Sequence, residues 1–240
     1  MKKYIKVFRP LFLLIVFSTT CCKNNATEII LPNDNSNISD GMIVFDSDRT
    51  GVRQIYSMNS DGTNLVRLTE GNYENMCPSI NSINGKIVFQ SKRDGNYEVY
   101  IMNRNGSNQL RLTNSAQDEY SQEFTPDGTK ILYMKYFDSY SQLWIMDIDG
   151  NNKKQLTAST TYHDERPRLS PDGRTIMFMS DRNGYYEIYM MNPDGTNQRR
   201  FTNSAGMKIF PAWSPDGQKI VYSINSYGST RKCSATRIVI

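Results

Sequence analysis

Adjacent carboxylates are the first residues in this sequence that could do chemistry. Asp118 precedes Glu119, and Asp164 precedes Glu165. Paired carboxylates act as acid and base when lyases or glycosidases cleave sugars. The whole sequence contains one histidine, His163, so neither a Ser-His-Asp set nor a multi-histidine metal site can be assembled. The residues therefore predict no metal and no cofactor, and leave acid–base chemistry on an oligosaccharide as the alternative function.

Binding without catalysis is the favoured interpretation of the same residues. Charged and aromatic side chains occupy equivalent connections, which we expect to be loops that converge at one end of the fold. Such a surface would bind a protein, peptide or glycan, whereas the alternative is a set of solvated loop tops. The predicted binding residues are Tyr73, Glu74, Asp118, Glu119, Tyr120, Glu123, His163, Asp164, Glu165, Arg166, Arg168, Lys208 and Phe210.

Glu123 and Arg168 occupy equivalent positions where other repeats carry Ser79 and Ala212. Small residues would suffice there, and a partly buried charge without a partner is costly. We expect the two charges to pair with each other, with neighbouring carboxylates or with a polar ligand. A second set of charges, Arg93 with Glu98 and Arg182 with Glu187, flanks repeated hairpins and is expected to form cross-strand pairs.

The elements that must position these residues repeat along the chain. Apolar segments begin at Ile43, Ile87, Ile131, Ile176 and Ile220, at spacings of 44 or 45 residues. A second series, QIYSM, EVYIM, QLWIM and EIYMM, follows at equal offset and leads into turns such as NSDGTN and NPDGTN. Asp-Gly and Asn-Gly turns between short apolar segments are typical of β-hairpins. Each repeat therefore encodes four short strands.

Four antiparallel strands in every repeat favour the blade of a β-propeller, because one small sheet must stack on neighbours to bury both faces. Gly and Pro interrupt every window in which a solenoid helix would have to run. We predict an all-β fold over residues 40–240, a propeller of about five four-stranded blades or an incomplete six-bladed ring.

Two segments carry a resemblance to a known family. The stretches SPDGRTIMFMSDRNGYYEIYMMNPDGTN from Ser170 and FPAWSPDGQKIVYS from Phe210 resemble the TolB-type propellers, periplasmic relatives of WD-repeat proteins. The resemblance extends over residues 42 to 240 and implies a propeller in the cell envelope. The second repeat departs from it with SINSINGK, and the third with KYFDSYSQ, so these blades are expected to present different loop surfaces.

The N-terminal residues are typical of an export signal. Four cations precede an apolar run from Leu11 to Phe17, which is too short to span a bilayer comfortably. We predict a signal peptide at 1–20, lipidation of Cys21 or Cys22, and a polar tether at 21–39. Within the tether, the segment EIIL at 28–31 could supply a strand that closes the ring.

Charge content limits the classes of partner that the protein can bind, and cysteine content limits the covalent links that it can form. The chain has 28 basic and 24 acidic residues, and the signal segment holds four of the basic ones and no acid. The exported part is therefore neutral, which argues against a nucleic-acid partner. Cys77 and Cys233 are either isolated thiols or a disulfide. The sequence predicts a monomeric, lipid-anchored, non-enzymatic protein that binds an envelope protein, peptide or glycan in the periplasm or cell envelope.

Overall fold

The computed structural model of the protein describes residues 41–225 and 235–239. All regular secondary structure in these ranges is β, and the strands form five antiparallel sheets. Within each sheet the strands pair in the order in which they follow along the chain. Five sheets at a 44-residue period confirm the predicted propeller of about five blades.

The five blades follow one another along the chain. Blade 1 consists of β1 (Met42–Ser47), β2 (Gln54–Asn59) and β3 (Val66–Arg67). Blade 2 consists of β4 (Asn75–Ile80), β5 (Ile87–Ser91), β6 (Glu98–Met102) and β7 (Leu110–Arg111). Blade 3 consists of β8 (Asp118–Phe124), β9 (Lys130–Phe137), β10 (Tyr140–Asp147) and β11 (Lys154–Gln155). Blade 4 consists of β12 (Asp164–Leu169), β13 (Ile176–Ser180), β14 (Glu187–Met191) and β15 (Arg199–Arg200). Blade 5 consists of β16 (Met207–Trp213), β17 (Ile220–Asn225) and β18 (Ala235–Val239).

The four strands of a complete blade are called A to D, in chain order from the channel outwards. Blades 2, 3 and 4 have all four. In the described residues blade 1 begins at strand B and blade 5 ends at strand C, and no strand of blade 1 contacts a strand of blade 5. The predicted closing segment at 28–31, the signal segment, Cys21, Cys22 and Cys233 lie outside the described residues, whereas Cys77 lies in β4.

The hydrophobic core lies between adjacent blades. One buried cluster joins Val88 and Val99 of blade 2 to Ile131 and Tyr133 of blade 3. Equivalent clusters fill the spaces between the other neighbouring blades. The middle strands B and C have apolar residues on both faces, and every residue of β14 is buried. A single blade could not bury these faces, which is why the unit repeats.

Glycine is required in the turn between strands C and D. A Cβ on Gly106 would lie 2.6 Å from the carbonyl oxygen of Leu68 in the preceding blade, and the residue has a φ of 83°. Gly195 approaches Leu156 in the same way. Two residues after each of these glycines, Asn108 and Asn197 adopt the left-handed conformation that asparagine tolerates. The repeated Gly-x-Asn motif, preceded by Asn at 105 and by Asp at 194, is therefore a packing requirement between blades.

Each complete strand A contains a β-bulge at the same position. The register with strand B shifts there, and the residues Cys77, Ser121, Arg166 and Phe210 have φ between 52° and 56°. The left-handed conformation costs a residue with a side chain about 1–2 kcal/mol. Bulges redirect the side chains that follow them, so this repeated feature determines what the blades present to the central channel.

Candidate functional site

The two ends of the channel are built from different connections. Antiparallel strands reverse direction at each turn, so the connections from D to A and the hairpins between B and C lie at one end, called the mouth face. The turns between A and B and between C and D lie at the other end, called the turn face. We predicted loops at the mouth, but β8, β12 and β16 begin at 118, 164 and 207. Most of the predicted binding residues therefore lie in strand A.

This strand placement corrects the prediction for Glu119, Asp164 and Lys208. All three are buried, with exposed fractions of 2%, 0% and 0%. Side chains alternate along a strand, so these residues point into the sheet packing while their neighbours face the mouth. They belong to joints in which the start of strand A contacts the preceding blade. Lys208, for example, pairs with Glu187 at 3.2 Å.

The same joint is made from different chemical groups in different blades. Asn75 donates to Gln54 at 2.8 Å, whereas the buried carboxyls of Glu98 and Glu119 face each other, and the Oε2 atom of each has no other partner among the described residues. A bond between two carboxyls requires a shared proton, and burial together with the Glu98 contact raises the pKa of Glu119 to about 8. Buried in a joint, neither carboxyl can act on a sugar.

The predicted cross-strand ion pairs Arg93–Glu98 and Arg182–Glu187 are wrong. The Arg182 guanidinium lies over the Tyr189 ring at 4.5 Å and donates to Asp164 at 2.9 Å. Arg93 likewise covers the Tyr100 ring and donates to Asn75. The glutamates bind other arginines instead; Glu98, for example, pairs with Arg111. Arginine prefers aromatic faces and a partner in strand A because both are available beside the hairpin.

A row of aromatic rings crosses the mouth face of blades 2, 3 and 4. Tyr97 lies 5.3 Å from Tyr120 between ring centroids, and Tyr120 lies 6.2 Å from Tyr136. Tyr136 stacks on His163 at 5.8 Å. All four rings are half-buried. Together they form an aromatic platform along the rim of the channel.

Carboxylates border this platform. The hydroxyl of Tyr97 donates to Glu74, and that of Tyr120 donates to Asp118 at 2.8 Å. Burial, followed by these hydrogen bonds, raises the pKa of both tyrosines, so the hydroxyls stay protonated donors. Glu165 lies 3.9 Å from the Nδ1 atom of His163. We call the set the mouth surface; its members are Tyr97, Tyr120, Tyr136, His163, Glu74, Asp118 and Glu165.

Blade 3 adds a long hairpin beside the mouth surface. Its strands β9 and β10 pair as far as Phe137 and Tyr140, whose rings stack at 4.5 Å. In blades 2 and 4 the corresponding strands B and C have five residues each. Strand B ends there at the serine of a Ser-x-Arg motif. The departure KYFDSYSQ therefore does give this blade a different surface, as predicted.

A cavity occupies the channel towards the turn face. It has a volume of about 500 Å³ and is lined by strand A and the A–B turns of blades 2 to 5. Ser79, Glu123, Arg168 and Ala212, one from each blade, all line it. Arg166 and Phe210, from the bulge positions, line it as well. We call this region the channel cavity.

The two charges predicted at equivalent positions do pair. Arg168 Nη1 lies 2.5 Å from Glu123 Oε2, with 38% and 29% of the side chains exposed. The Arg166 guanidinium lies over the Phe210 ring at 4.5 Å. Trp213 donates its indole N–H to the Arg168 carbonyl at 3.2 Å. The charged groups of blades 3 and 4 therefore meet the aromatic groups of blade 5 at the cavity wall.

The predicted site residues fall into separate groups. Glu74, Asp118, Tyr120, His163 and Glu165 belong to the mouth surface. Glu123, Arg166, Arg168 and Phe210 line the channel cavity. Tyr73 lies under the Arg93 guanidinium at 5.0 Å, and Glu119, Asp164 and Lys208 form joints.

Sequence reasoning missed Tyr97 and Tyr136 of the mouth surface. Tyr97 directly precedes strand C, and the equivalent residue of blade 4, Tyr186, is also a tyrosine hydrogen-bonded to Glu165. That repetition ahead of strand C was the available signal. Among the described residues, no cluster of three potential metal ligands occurs, and no helix is long and apolar enough to cross a membrane.

Comparison with known proteins agrees with this architecture. The family described as the TolB beta propeller domain matches residues 28–157 and 87–232 in two overlapping segments. Together the segments extend over most of the chain. No curated protein sequence matches significantly.

Solved structures with the same fold include two TolB proteins and an enzyme. A putative TolB from Agrobacterium tumefaciens is 25% identical, with a TM-score of 0.65 over 77% of this chain and 68% of that one. TolB from Acinetobacter baumannii is 19% identical, with a TM-score of 0.66 over 82% of this chain and 49% of that one. An oligogalacturonate lyase in complex with manganese is 16% identical, with a TM-score of 0.56 over 73% and 52%. This chain thus spans about half the length of the Acinetobacter protein.

Proposed function

Because this chain belongs to the TolB β-propeller family, we propose that it is an exported, lipid-anchored binding protein of the cell envelope and not an enzyme. The mouth surface is the site at which it holds a protein, peptide or glycan partner. The observation that carries the proposal is the continuous row of Tyr97, Tyr120, Tyr136 and His163.

The mouth surface favours a partner that presents cationic side chains. Aromatic faces attract lysine and arginine groups, and the bordering carboxylates of Glu74, Asp118 and Glu165 add negative charge. Aromatic rings also provide large rigid contact areas at low entropic cost, as in binding hot spots. A basic segment of an envelope protein or peptide satisfies both properties better than a neutral glycan does.

The alternative, a lyase or glycosidase, relies on paired carboxylates at the mouth. Each predicted pair has one member in a joint, Glu119 or Asp164, and one at the mouth, Asp118 or Glu165. A single accessible carboxylate at each place does not supply the acid and the base that glycoside cleavage needs. Incubation of the exported domain with acidic and neutral oligosaccharides is therefore expected to give no products.

Capture from envelope extract tests the mouth surface. Tyr136→Ala removes the ring between Tyr120 and His163 and should weaken capture by roughly tenfold, the range found for hot-spot truncations. Tyr185→Ala is the matched control, since this tyrosine is 52% exposed on the blade 4 hairpin outside the row. Equal capture by both variants, at unchanged melting temperature, would show that the row is not the binding site.

Membrane fractionation tests the anchor. Replacing Cys21 and Cys22 together by Ser should move the protein from the membrane to the soluble periplasmic fraction, because lipid chains on cysteine hold such proteins to the bilayer. Cys77→Ser is the control, since it replaces a cysteine in strand A of blade 2 and leaves the N-terminus intact. Retention of the double variant after a high-salt wash excludes lipid anchoring at these cysteines.

A further inference from the structure

The Glu123–Arg168 ion pair lines the channel cavity although the fold does not require it. At the equivalent position of strand A, blade 2 has Ser79 and blade 5 has Ala212. These two blades have the same bulge and the same shift in register between strands A and B. The backbone therefore accepts a small uncharged side chain at this position, and the two charges need a reason other than folding.

The pair keeps hydrogen-bonding capacity beside the cavity. A single contact, between Arg168 Nη1 and Glu123 Oε2 at 2.5 Å, joins the two side chains. More than a quarter of each side chain is exposed, so both groups are accessible from the cavity. A guanidinium has five N–H donors and a carboxylate has two acceptor oxygens. Donors of Arg168 and the Oε1 atom of Glu123 are therefore available to a ligand, and the mutual contact holds both groups in place before it binds.

The charges of the pair cancel, which favours a neutral ligand. Arg166, the third charged residue of the lining, is engaged elsewhere: its guanidinium covers the Phe210 ring at 4.5 Å, and its charge acts on Glu165. A carboxylate placed at Arg168 would lie beside the Glu123 carboxylate, and the two would repel each other. A hydroxyl both donates and accepts hydrogen bonds. Two adjacent hydroxyls can therefore bond to the carboxylate and the guanidinium at once.

Apolar rings complete the cavity beside this pair. Trp213 lines the cavity, and its indole N–H donates to the Arg168 carbonyl at 3.2 Å, which fixes the ring. The A–B turns add the rings of Pro126, Pro171 and Pro215. A volume of about 500 Å³ is in the range of small-ligand sites. A ligand that presents adjacent hydroxyls to the pair and C–H groups to the rings has the chemistry of a pyranose sugar.

We propose that the channel cavity binds a neutral sugar unit through Glu123 and Arg168. One hydroxyl of the sugar donates to the Glu123 carboxylate, the adjacent hydroxyl accepts from the Arg168 guanidinium, and the C–H face of the ring packs against Trp213. The site lies away from the mouth surface, so the proposal does not depend on the partner that binds there.

Calorimetric titration with matched probes tests the proposal on the exported protein. Glucose, galactose and mannose, which differ in the orientation of their adjacent hydroxyls, are compared with tetrahydropyran-2-methanol, which has the ring without those hydroxyls. We expect at least one sugar to bind roughly tenfold more tightly than the ring compound, the effect of hydrogen bonds to charged groups. Absence of binding by all three sugars, or binding equal to that of the ring compound, overturns the proposal.

A variant pair assigns the binding to the cavity. Arg168→Met removes every N–H donor of the pair and should weaken binding of the preferred sugar by roughly tenfold. Lys130→Met removes a cation from an exposed ion pair with Asp147, outside the cavity lining, and should leave binding unchanged. Equal affinities in the two variants would place the sugar elsewhere and contradict the proposal.

The fluorescence of Trp213 gives a second assignment that leaves the ion pair intact. The sequence contains two tryptophans, so Trp144→Phe makes Trp213 the only indole. Trp144 lies in β10 and does not line the cavity. The preferred sugar should change the Trp213 emission with the affinity that calorimetry gives for the unaltered protein. Binding by calorimetry without any change in emission would place the sugar away from Trp213. If Arg168→Met fails to fold, this measurement and the comparison of sugars with the ring compound still decide.

Discussion

The mouth surface and the channel cavity are made by the same repeated strand, yet they have opposite chemistry. At the mouth, strand A and its neighbours present tyrosines and carboxylates, whereas towards the turn face the same strands present Arg166 and Arg168. In strand A the bulge, at Ser121, Arg166 and Phe210, follows the residues at the mouth and precedes Glu123, Arg168 and Ala212 of the cavity. The comparison shows that the repeated backbone determines where side chains point. The residue types that differ between blades at equivalent positions determine the chemistry of each region.

The largest expected effect comes from breaking a joint on which both regions depend. Glu187→Gln leaves Lys208, which is fully buried, without its carboxylate partner. An unpaired buried cation is expected to cost about 3–5 kcal/mol in the free energy of unfolding. Denaturant unfolding measures the loss, and capture of the partner at the mouth should weaken with it. A small effect on stability would mean that the two regions are held independently of this joint.

A joint that titrates provides the next test. The raised pKa of Glu119, about 8, means that the folded state retains a proton which the unfolded state loses above pH 4.5. Stability should therefore fall as pH rises from about 4.5 to about 8, by more than about 1 kcal/mol. Arg111 on Glu98 and Lys135, 3.8 Å from Glu119, are the cations that face the pair.

Glu119→Gln should flatten this pH dependence, because an amide supplies the hydrogen bond without titrating. Melting temperatures at pH 5, 7 and 9 measure it, with Glu70→Gln on the exposed surface as the control. A variant that keeps the slope of the unaltered protein would assign it to other groups. Asp164, which is buried, and Glu165, which is half-buried at the mouth, both have pKa values raised by burial and are the next candidates.

Arg168→Ala separates the cavity from the mouth surface. Its ion pair with Glu123 is more than a quarter exposed on both sides, so its loss should cost only about 1 kcal/mol. Capture of the partner at the mouth should remain, because Arg168 lines the channel cavity and is not part of the mouth surface. Loss of partner capture at preserved stability would instead make the channel part of the partner site.

Tyr136→Phe should have the smallest effect. The Tyr136 hydroxyl makes only a 3.4 Å contact with the Asp138 carbonyl, so the ring without its hydroxyl should support capture within about twofold. Tyr97→Phe removes the hydrogen bond to Glu74 and should weaken capture more. Titration of captured partner with both variants measures the difference. The reverse order would show that the platform acts through its hydroxyls and not through its rings.

The sequence was sufficient for the fold because strand and turn signals recur in every repeat. It also placed Glu123 and Arg168 at equivalent positions beside the channel and gave their mutual pairing as one of three outcomes, and the structure shows that pair. The sequence-based prediction was wrong for Glu119, Asp164 and Lys208, which it placed in loops. A loop and the first residues of an inner strand have the same polar sequence pattern here, so the pattern does not distinguish them. Arg93 and Arg182 were paired wrongly because the competing aromatic faces and strand A partners come from distant positions in the chain.

Blade 3 lies between two other complete blades and packs against blade 2 on one side and blade 4 on the other. A repeat held by two interfaces opens only when both are lost, so its backbone amides are protected more than those of an isolated sheet. Amide hydrogen exchange should therefore be slow in β9 and β10. Tyr120 and Tyr136 belong to this blade, so the aromatic platform stands on a part of the fold that keeps its shape over the time of such an experiment.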